Sequence, residues 1–200
     1  SNNDIELQPD TIQKFVDNFK KFPLAGCIGA RLYFNDGRIQ HAGAFLGRYG
    51  WGVHYGGGDQ DGEAYDNDFQ VEYVCGALFG ITQDVLRKVN LLEEDFGLGY
   101  FEEVEYQQRI RDNGFEIWYC GNIKAIHHEG KTALDVFGSE NKRREQSNYN
   151  QKIYYEKRWK LGFKESTGDP KVLISSKIYG IWSYTGVMRN LVNGLDSNGV

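Results

Sequence analysis

Glycine is the residue whose abundance most constrains how this chain can fold. It occupies 25 of the 200 positions, nearly double the usual frequency of about 7%, while proline occupies only 3. A collagen repeat or a Pro-Gly linker would need far more proline, so both are excluded. Hydrophobic residues make up 40% of the chain and charged residues 26%, which is typical of a globular protein. The sequence therefore predicts a folded domain with many positions of permissive backbone.

Helical and strand patterns alternate along the chain. An apolar stripe predicts an amphipathic helix after Pro9 that ends near Phe22-Pro23. The apolar run at 25–34 and its return at 38–46 predict a β-hairpin that is closed by the turn at 35–37. The apolar stripe of the helix after Pro9 consists of Ile12, Phe15, Val16 and Phe19.

Later segments continue this alternation. They are a long surface loop at 47–68 around Gly56-Gly57-Gly58, a β-prone run at 71–81, a short helix capped by Thr82, a helix at 101–113 that closes at Asn113-Gly114, two short strands at 115–119 and 123–127, and a surface helix at 141–159. Alternating strands and helices predict an α/β fold. Long loops in compact domains are often binding segments.

A change in composition marks a boundary near the end of the chain. Residues 164–170 read Lys-Glu-Ser-Thr-Gly-Asp-Pro and predict a linker. A new strand at 171–175 and an apolar helical pattern at 183–197 follow the linker. We therefore expect one α/β domain over residues 1–163 and the opening strand and helix of a second α/β domain over 171–200.

The charge balance and the cysteines bear on partners and compartment. The chain has 23 basic and 28 acidic residues, a net charge of −5 and a pI near 5.4, which argues against nucleic acid as a partner. Cys27, Cys75 and Cys120 form no CxxC pair, which predicts reduced thiols and a cytoplasmic location. We expect no transmembrane segment, because no apolar run approaches the roughly 18 residues that a span requires.

Three groups of polar residues are candidates for chemistry. Asp4 lies at a predicted sheet edge, where a carboxylate can bind a hard divalent cation. Glu102 and Glu103 begin a predicted helix after the apolar, glycine-bearing segment 96–101, and one of them can act as a general base. His127 ends a predicted strand beside a glycine turn, where metal and phosphate contacts gather.

Each group also has an ordinary structural interpretation. An aspartate is usually a solvated surface residue, carboxylates in the first turn stabilise a helix through its dipole, and most histidines are structural. A zinc site is disfavoured, because the sequence has no HExxH motif, no second histidine at ligand spacing and no paired cysteines.

Five motifs occur in a characteristic order. They are Asn-Asn-Asp at 2–4, Arg-Leu-Tyr-Phe-Asn-Asp-Gly-Arg-Ile-Gln-His-Ala-Gly at 31–43, Val-Glu-Tyr-Val-Cys-Gly-Ala at 71–77, Gly-Tyr-Phe-Glu-Glu-Val-Glu-Tyr-Gln-Gln-Arg at 99–109 and Ile-His-His-Glu-Gly-Lys-Thr at 126–132, with a Lys-Arg-Trp tail at 157–159. Together they resemble family 2 glycosyltransferases of the GT-A fold. The greatest similarity is to the bacterial rhamnosyltransferase-like group that builds cell-surface polysaccharides. The resemblance covers residues 1–160.

The resemblance implies a reaction and a cofactor. The reaction is an inverting transfer of a sugar from a nucleotide-sugar donor to a glycan or lipid-linked saccharide acceptor, with Mg²⁺ or Mn²⁺ on the diphosphate. Asp4 falls on the last position of the Asp-x-Asp metal-binding motif, and Asn2 stands at its first position. His127 matches the histidine near the metal and the diphosphate.

The same resemblance assigns the catalytic and sugar-binding positions. Glu103 falls on the catalytic base, which the family usually supplies as aspartate, and Glu102 is its neighbour that orients the acceptor. Gly76 and Ala77 fall where the sheet approaches the donor and acceptor sugars. Inverting displacement needs a base and a cation but no nucleophilic side chain, which agrees with the lack of a Ser-His-Asp or Cys-His arrangement.

Two further expectations concern the longer protein. GT-A enzymes bind the nucleotide base through a region that precedes Asp-x-Asp, so we expect that region upstream of Ser1 and expect the 200 residues to need it for activity. Residues 171–176 and the helix ending at 189–195 resemble the first strand and helix of a GT-B glycosyltransferase of family 4. The resemblance implies a tandem transferase in the cytoplasm, including the inner face of the membrane as a peripheral location.

Two alternatives remain open. A non-catalytic carbohydrate-binding or assembly module would hold glycan through the aromatic-rich loop of Trp51, His54 and Tyr55, and we take Trp51 and His54 as candidate substrate-binding residues. A metal-dependent phosphotransferase is disfavoured, because the sequence has no GxxxxGK[ST] loop. Convergence of Asp4, Glu103 and His127 on one cleft favours the enzyme over the binding module.

Overall fold

A computed structural model describes residues 1–46, 52–97, 99–128 and 137–160 of the chain. Trp51, the expected linker at 164–170 and the expected second domain at 171–200 lie outside the described residues.

The described residues form eight strands and four α-helices, so this part of the chain is mixed α/β. In order, they are β1 (Ile5–Leu7), α1 (Thr11–Lys21), β2 (Ala25–Tyr33), β3 (Ile39–His41), β4 (Ala44–Leu46), β5 (Gly52–His54), β6 (Phe69–Gln70), β7 (Phe79–Ile81), α2 (Gln83–Val89), α3 (Glu102–Asp112), β8 (Glu116–His127) and α4 (Glu140–Lys160). Short 3₁₀ turns cover Glu63–Tyr65 and Glu94–Phe96.

A mixed sheet is built around the parallel pair β2 and β8. Two short antiparallel strands, β1 and β6, share the outer edge of β8, while β3 and β7 share the outer edge of β2. β4 and β5 form a separate antiparallel ribbon, joined to the rest by a bridge between Ala44 and Tyr73. The sheet therefore carries its long strands in the middle and its short strands at both edges.

Helices cover both faces of the sheet. Alternate residues of β2 point to opposite sides, so Cys27 packs with Val85 and Ile110 from α2 and α3, whereas Ile28 packs with Phe15 from α1. A third cluster joins α4 to the start of α3 and to the ribbon: its members are Ala44, Tyr73, Phe96, Phe101, Val104 and Tyr154. This last cluster anchors the part of the molecule that carries the candidate site.

Several sequence predictions are confirmed. The predicted α1, β2 and α4 are present with ends within a few residues of those expected. Thr82 caps α2, since its hydroxyl accepts a hydrogen bond from the Val85 N–H at 3.3 Å. The helix α3 ends at Asp112 and is followed by Asn113-Gly114, with Gly114 in the left-handed region as a helix end requires.

Other boundaries differ from the predictions for physical reasons. The expected strand at 38–46 is broken at Gly43, whose φ of +95° turns the chain out of the main sheet and into the ribbon with β5. The predicted loop at 47–68 therefore contains a strand and a 3₁₀ turn. The two strands expected at 115–119 and 123–127 are one strand, because the residues around Gly121 form a bulge against β2.

The apolar stripe of α1 is narrower than the sequence predicted. Phe15 is buried and Phe19 is partly buried, but Ile12 is 65% exposed and Val16 is 44% exposed. None of the helices in the described ranges is long and apolar enough to cross a membrane.

Candidate functional site

The backbone that leads into α3 adopts an unusual conformation. We call residues 93–97 and 99–101 the approach segment. Gly97 and Gly99 have φ of 63° and 131°, and Tyr100 and Phe101 both have φ of 73°. A residue with a side chain costs about 1–2 kcal/mol in the left-handed region, and such strain persists only where surrounding contacts hold the chain. The strain occurs directly before Glu102, so it determines where the first turn of α3 begins.

Two adjacent carboxyl groups occupy that first turn. Glu102 and Glu103 are both partly buried, and the Oε2 atom of each is buried with no hydrogen bond from any described residue. Burial raises the pKa of Glu102. Burial, followed by the charge of Glu102, raises the pKa of Glu103 to about 8. A carboxyl group with a pKa near neutrality can take up and release a proton, as a general base must.

Gly76 lies directly against Glu103. A Cβ atom added at residue 76 would lie 3.2 Å from Glu103 Cβ and 3.3 Å from its Cγ, so a side chain here would crowd the carboxyl-bearing residue. The sequence predicted a strand over 71–81, but only Phe79–Ile81 is paired as one. The reason is Gln107 of α3, whose side-chain amide accepts from the Val74 N–H at 2.7 Å and donates to the Val74 carbonyl at 2.8 Å. An α3 side chain thus takes the place of a neighbouring strand.

Two histidines hold the other side of the same segment. His41 Nε2 accepts a hydrogen bond from the Cys75 N–H at 3.1 Å, and His41 Nδ1 lies 3.0 Å from His54 Nδ1. Burial lowers the pKa of His54 to about 4, and burial followed by the neighbouring His54 lowers the pKa of His41 further. Both rings are therefore neutral near pH 7, with the His41 proton on Nδ1.

Tyr73 completes this arrangement. Its ring packs edge-on against His54, with ring centroids 5.7 Å apart. Burial raises the pKa of Tyr73 well above its usual value, and the charge of Glu103 is the next largest cause. The Tyr73 hydroxyl therefore stays protonated, and it lies close enough to Glu103 for the charge of that carboxyl group to affect its pKa.

Asp4 and His127 meet at the edge of the main sheet. His127 Nε2 lies 3.3 Å from Asp4 Oδ1, and His127 Nδ1 lies 2.8 Å from the Gln40 side-chain oxygen. Asp4 directly precedes the edge strand β1. Because β1 runs antiparallel to β8, with Ile5 opposite His127, Asp4 lies beside the carboxyl end of β8.

The two side chains fit part of a divalent cation site. Asp4 Oδ1 is buried and receives no hydrogen bond from the described residues. Donor atoms 3.3 Å apart can both lie within about 2.1 Å of one cation. The described residues contain no group of three or more His, Cys, Asp or Glu side chains around a common point, so a cation here would take its other ligands from substrate oxygens and water. Asn2 is exposed.

The segment 74–77 connects these groups. The Asn2 N–H donates a hydrogen bond to the Ala77 carbonyl at 2.8 Å, which ties the chain that carries Asp4 to this segment. At the neighbouring position, Gly76 contacts Glu103. The chain that carries Asp4 and the first turn of α3 thus approach the same segment at its neighbouring positions 77 and 76.

The remaining sequence candidates are the aromatic residues and the histidine that the sequence predicted to bind glycan. Trp51 lies outside the described residues. His54 lies on β5 and packs against His41 and Tyr73, not in a free loop as expected, and its part in substrate binding stays a prediction. Tyr55 packs against Tyr65 and Phe69.

Sequence reasoning missed three residues that shape the site: His41, Tyr73 and Gln107. His41 and Tyr73 lie inside quoted motifs but had no role assigned to them. Gln107 is fully buried in α3, although glutamine is usually exposed. No periodicity signals it, because its function is to satisfy the backbone of a residue 33 positions earlier.

Comparison with known proteins leaves the activity open. No family model matches the chain. The chain is 27% identical over 166 residues to an uncharacterized protein of Sinorhizobium fredii, and the match covers 80% of this chain and 18% of that protein. The chain therefore spans less than a fifth of the length of this relative. The relative has no stated activity, so a functional conclusion depends on the geometry of the site.

Proposed function

We propose that the described residues form the acceptor-side part of a GT-A-type domain of an inverting glycosyltransferase. The domain moves a sugar from a nucleotide-sugar donor to a glycan or lipid-linked saccharide acceptor. The observation that carries the proposal is Glu103, a carboxyl group with a pKa raised to about 8, placed at the start of α3 against the bare backbone of Gly76.

Glu103 is the proposed base. Its unbonded, buried Oε2 is free to accept the proton of an acceptor hydroxyl. As that proton leaves, the hydroxyl oxygen bonds to the anomeric carbon of the donor sugar, and the bond from that carbon to the diphosphate oxygen breaks. The diphosphate departs with the bonding electron pair. A raised pKa makes the Glu103 carboxylate a stronger base than an exposed glutamate once it is ionised.

Glu102 and Gly76 support this step in different ways. The charge of Glu102 contributes to the raised pKa of Glu103, and its own unbonded Oε2 can accept a hydrogen bond from a second acceptor hydroxyl. Gly76 has no side chain, so a sugar ring can approach the backbone at 76–77 next to the base. Removal of water from this region strengthens each of these interactions.

Asp4 and His127 are the proposed cation ligands. Mg²⁺ or Mn²⁺ bound there would supply positive charge for the leaving diphosphate. Gln40 holds the His127 ring through Nδ1, which leaves Nε2 directed towards Asp4. The cytoplasm is the proposed compartment, which agrees with the lack of disulfide bonds among the cysteines in the described ranges.

A substitution of the base tests the proposal. The complete natural chain that contains these residues is incubated with UDP-glucose, GDP-mannose or dTDP-rhamnose and Mg²⁺ or Mn²⁺, and release of nucleoside diphosphate and sugar transfer to lipid-linked saccharides are measured. Glu103→Gln should lower the turnover number by about 10²–10⁴-fold while donor binding is retained. The exposed Glu63 provides the matched control, and Glu63→Gln should leave turnover unchanged.

The alternative outcome is informative. If Glu103→Gln turns over donor like the wild type, Glu103 is not the base. If no donor in the panel is consumed by the wild type but glycan binding is detected, the carbohydrate-binding module is the better explanation.

A further inference from the structure

The carbonyl groups of the approach segment require an external donor. Residues in the left-handed region interrupt the run of regular backbone hydrogen bonds, and a buried carbonyl without a partner is costly. In this segment the carbonyls of Phe96, Gly99 and Tyr100 all point to one side chain of α4. That side chain is Asn150, whose Nδ2 lies 2.7, 2.7 and 2.9 Å from these three oxygens.

Asn150 is itself fixed in place. It is fully buried, and its Oδ1 accepts a hydrogen bond from the Gln146 side chain at 3.0 Å. One turn further along α4, Tyr154 packs on the ring of Phe101 with centroids 5.7 Å apart. The amide is therefore held both through its oxygen and by the packing of its helix.

Charged residues at both ends of α4 hold the same region. Lys157 pairs with Asp95 at 2.7 Å and with Glu93. Arg158 pairs with Glu105 of α3, and the Arg143 guanidinium lies over the Tyr100 ring at 5.6 Å. These contacts draw α4 against the approach segment. Asn150 binds three of its carbonyl groups, and the Gln146 side chain adds a longer hydrogen bond of 3.4 Å to the Phe96 carbonyl.

We propose that Asn150 is a positioning residue, which locks the approach segment in its left-handed conformation and thereby sets the place and the buried surroundings of Glu103. The role in sugar transfer rests on the function proposed above, whereas the effect on the Glu103 environment does not. Asn150 lies 47 positions after Glu103 on another helix, and it acts through the carbonyl groups of Phe96, Gly99 and Tyr100.

The proposal gives a specific expectation for the environment of Glu103. If the lock is removed, the Tyr100–Phe101 pair can relax and water can reach the first turn of α3. Glu102 and Tyr73 remain beside Glu103, so the change comes from lost burial, which is the largest cause of its raised pKa. The pH at which the base ionises should then move down from about 8 towards the ordinary value of 4.5.

The chain offers a matched control. Asn148 is an exposed residue of the same helix, so Asn148→Ala and Asn148→Asp make the same chemical changes without touching the approach segment. The test variants are Asn150→Asp, which keeps the shape but replaces the donor by an acceptor, and Asn150→Ala. Asn150→Ser, which keeps a shorter donor, serves if either variant fails to fold.

Two measurements on the complete natural chain test the proposal. In hydrogen–deuterium exchange, the Asn150 variants should lose protection at least tenfold in the peptide that covers residues 99–105, with β2 and β8 unchanged. In the pH profile of sugar transfer, the midpoint of the rise should move down by at least one unit and kcat should fall about tenfold, with the donor KM unchanged. The Asn148 variants should match the wild type in both.

Three results separate the possibilities. Exchange and pH midpoint that match the Asn148 variants would overturn the proposal. An equal loss of protection in β2, β8 and the approach segment would also overturn it, because Asn150 would then contribute only to global stability. A local loss of protection in a protein that transfers no sugar would contradict the proposed function while the positioning of Glu103 by Asn150 stands.

Discussion

Gly76, in a turn before β7, lies beside Glu103 at the start of α3, and a Cβ atom added at residue 76 would lie 3.2 Å from Glu103 Cβ. Such a distance is tighter than an ordinary van der Waals contact, so the absence of a side chain at residue 76 is what allows the carboxyl group to occupy its site.

A methyl group at residue 76 should therefore displace Glu103 by a few tenths of an ångström. We expect Gly76→Ala to fold and to lower sugar transfer about tenfold, because small misplacements of a reacting group are costly. Steady-state kinetics with the donor panel provides the measurement. Gly62→Ala is the control, since Gly62 has extended backbone and open space around its Cβ position. Equal kinetics for the two variants would count against a tight fit at Gly76.

The raised pKa of Glu103 should make stability depend on pH. The folded state holds the Glu103 proton up to about pH 8, whereas the unfolded chain releases it near 4.5, so folding stability falls as the pH rises from 4.5 to 8. Glu103→Gln mimics the protonated form and should raise Tm at pH 8.5 by at least about 3 °C, which corresponds to about 1 kcal/mol. Thermal unfolding at pH 5 and pH 8.5 measures this. A variant that is less stable than the wild type at pH 8.5 would contradict the burial of this carboxyl group.

The buried pair of His41 and His54 should make the free energy of unfolding rise with pH in a lower pH range, opposite to the effect of Glu103. The pKa of His54 is lowered from 6.5 to about 4 by burial, so the unfolded chain binds a proton that the folded state refuses. Stability is complete above pH 6.5 and is lost as the pH falls towards 4. His54→Gln should reduce the slope of unfolding free energy against pH by up to about 1.4 kcal/mol per unit in this window. Denaturant unfolding at several pH values measures the slope, and a slope in His54→Gln equal to that of the wild type would contradict the burial of this ring.

We expect substitution of Arg31 to reduce the stability of the fold strongly, although Arg31 has no part in the proposed reaction. Its side chain is 1% exposed, and its guanidinium contacts Asp61 at 2.6 Å, Asp66 at 2.5 Å and the Tyr119 hydroxyl at 3.1 Å. Arg31→Leu should cost about 2–4 kcal/mol in denaturant unfolding. Arg31→Lys should recover only part of it, because the single nitrogen of an ammonium group lacks the wide planar fork with which the guanidinium reaches all three partners.

The control for Arg31 is Arg38, whose side chain is 48% exposed and which pairs with Asp36. Arg38→Ala should cost less than about 1 kcal/mol. A similar small cost at Arg31 would show that its ion pairs are not needed for the fold.

The Asp4–His127 pair predicts a cation dependence. Asp4→Asn removes the charged ligand but keeps its size, so the affinity for Mn²⁺ in the presence of UDP should fall at least about tenfold. Isothermal titration calorimetry of the complete natural chain measures this. Asp10→Asn changes an exposed aspartate and should leave the affinity as it is. Unchanged Mn²⁺ affinity in Asp4→Asn would remove Asp4 from the set of ligands.

The parts of the fold that depend on local signals could be predicted from the sequence. The helix cap at Thr82, the glycine after α3 and the apolar run of β2 each encode their structure within a few residues. The predicted strand boundaries were wrong where contacts with residues distant in the sequence determine the structure. An example is residues 74–76, where a side chain from α3 replaces strand pairing.

The candidate site shows the same division. Glu102 and Glu103 could be found, because carboxylates after a glycine-bearing apolar segment are visible in the sequence. The contributions of His41 and Asn150 could not, because each acts by accepting from or donating to the backbone of a remote segment. Such long-range satisfaction of backbone groups leaves no periodic or compositional trace in a single sequence.

The parallel pairing of β2 with β8 has a consequence for the order of folding. β2 ends at Tyr33 and β8 begins at Glu116. Roughly eighty residues must therefore be synthesised between them before the two central strands can pair. During synthesis β2 leaves the ribosome long before β8, so the edge of this apolar strand that faces β8 stays unpaired even after β3 and β7 have been made. We expect this chain to fold slowly compared with a helical bundle of equal size. We also expect it to rely on chaperones until β8 has been synthesised and can pair with β2.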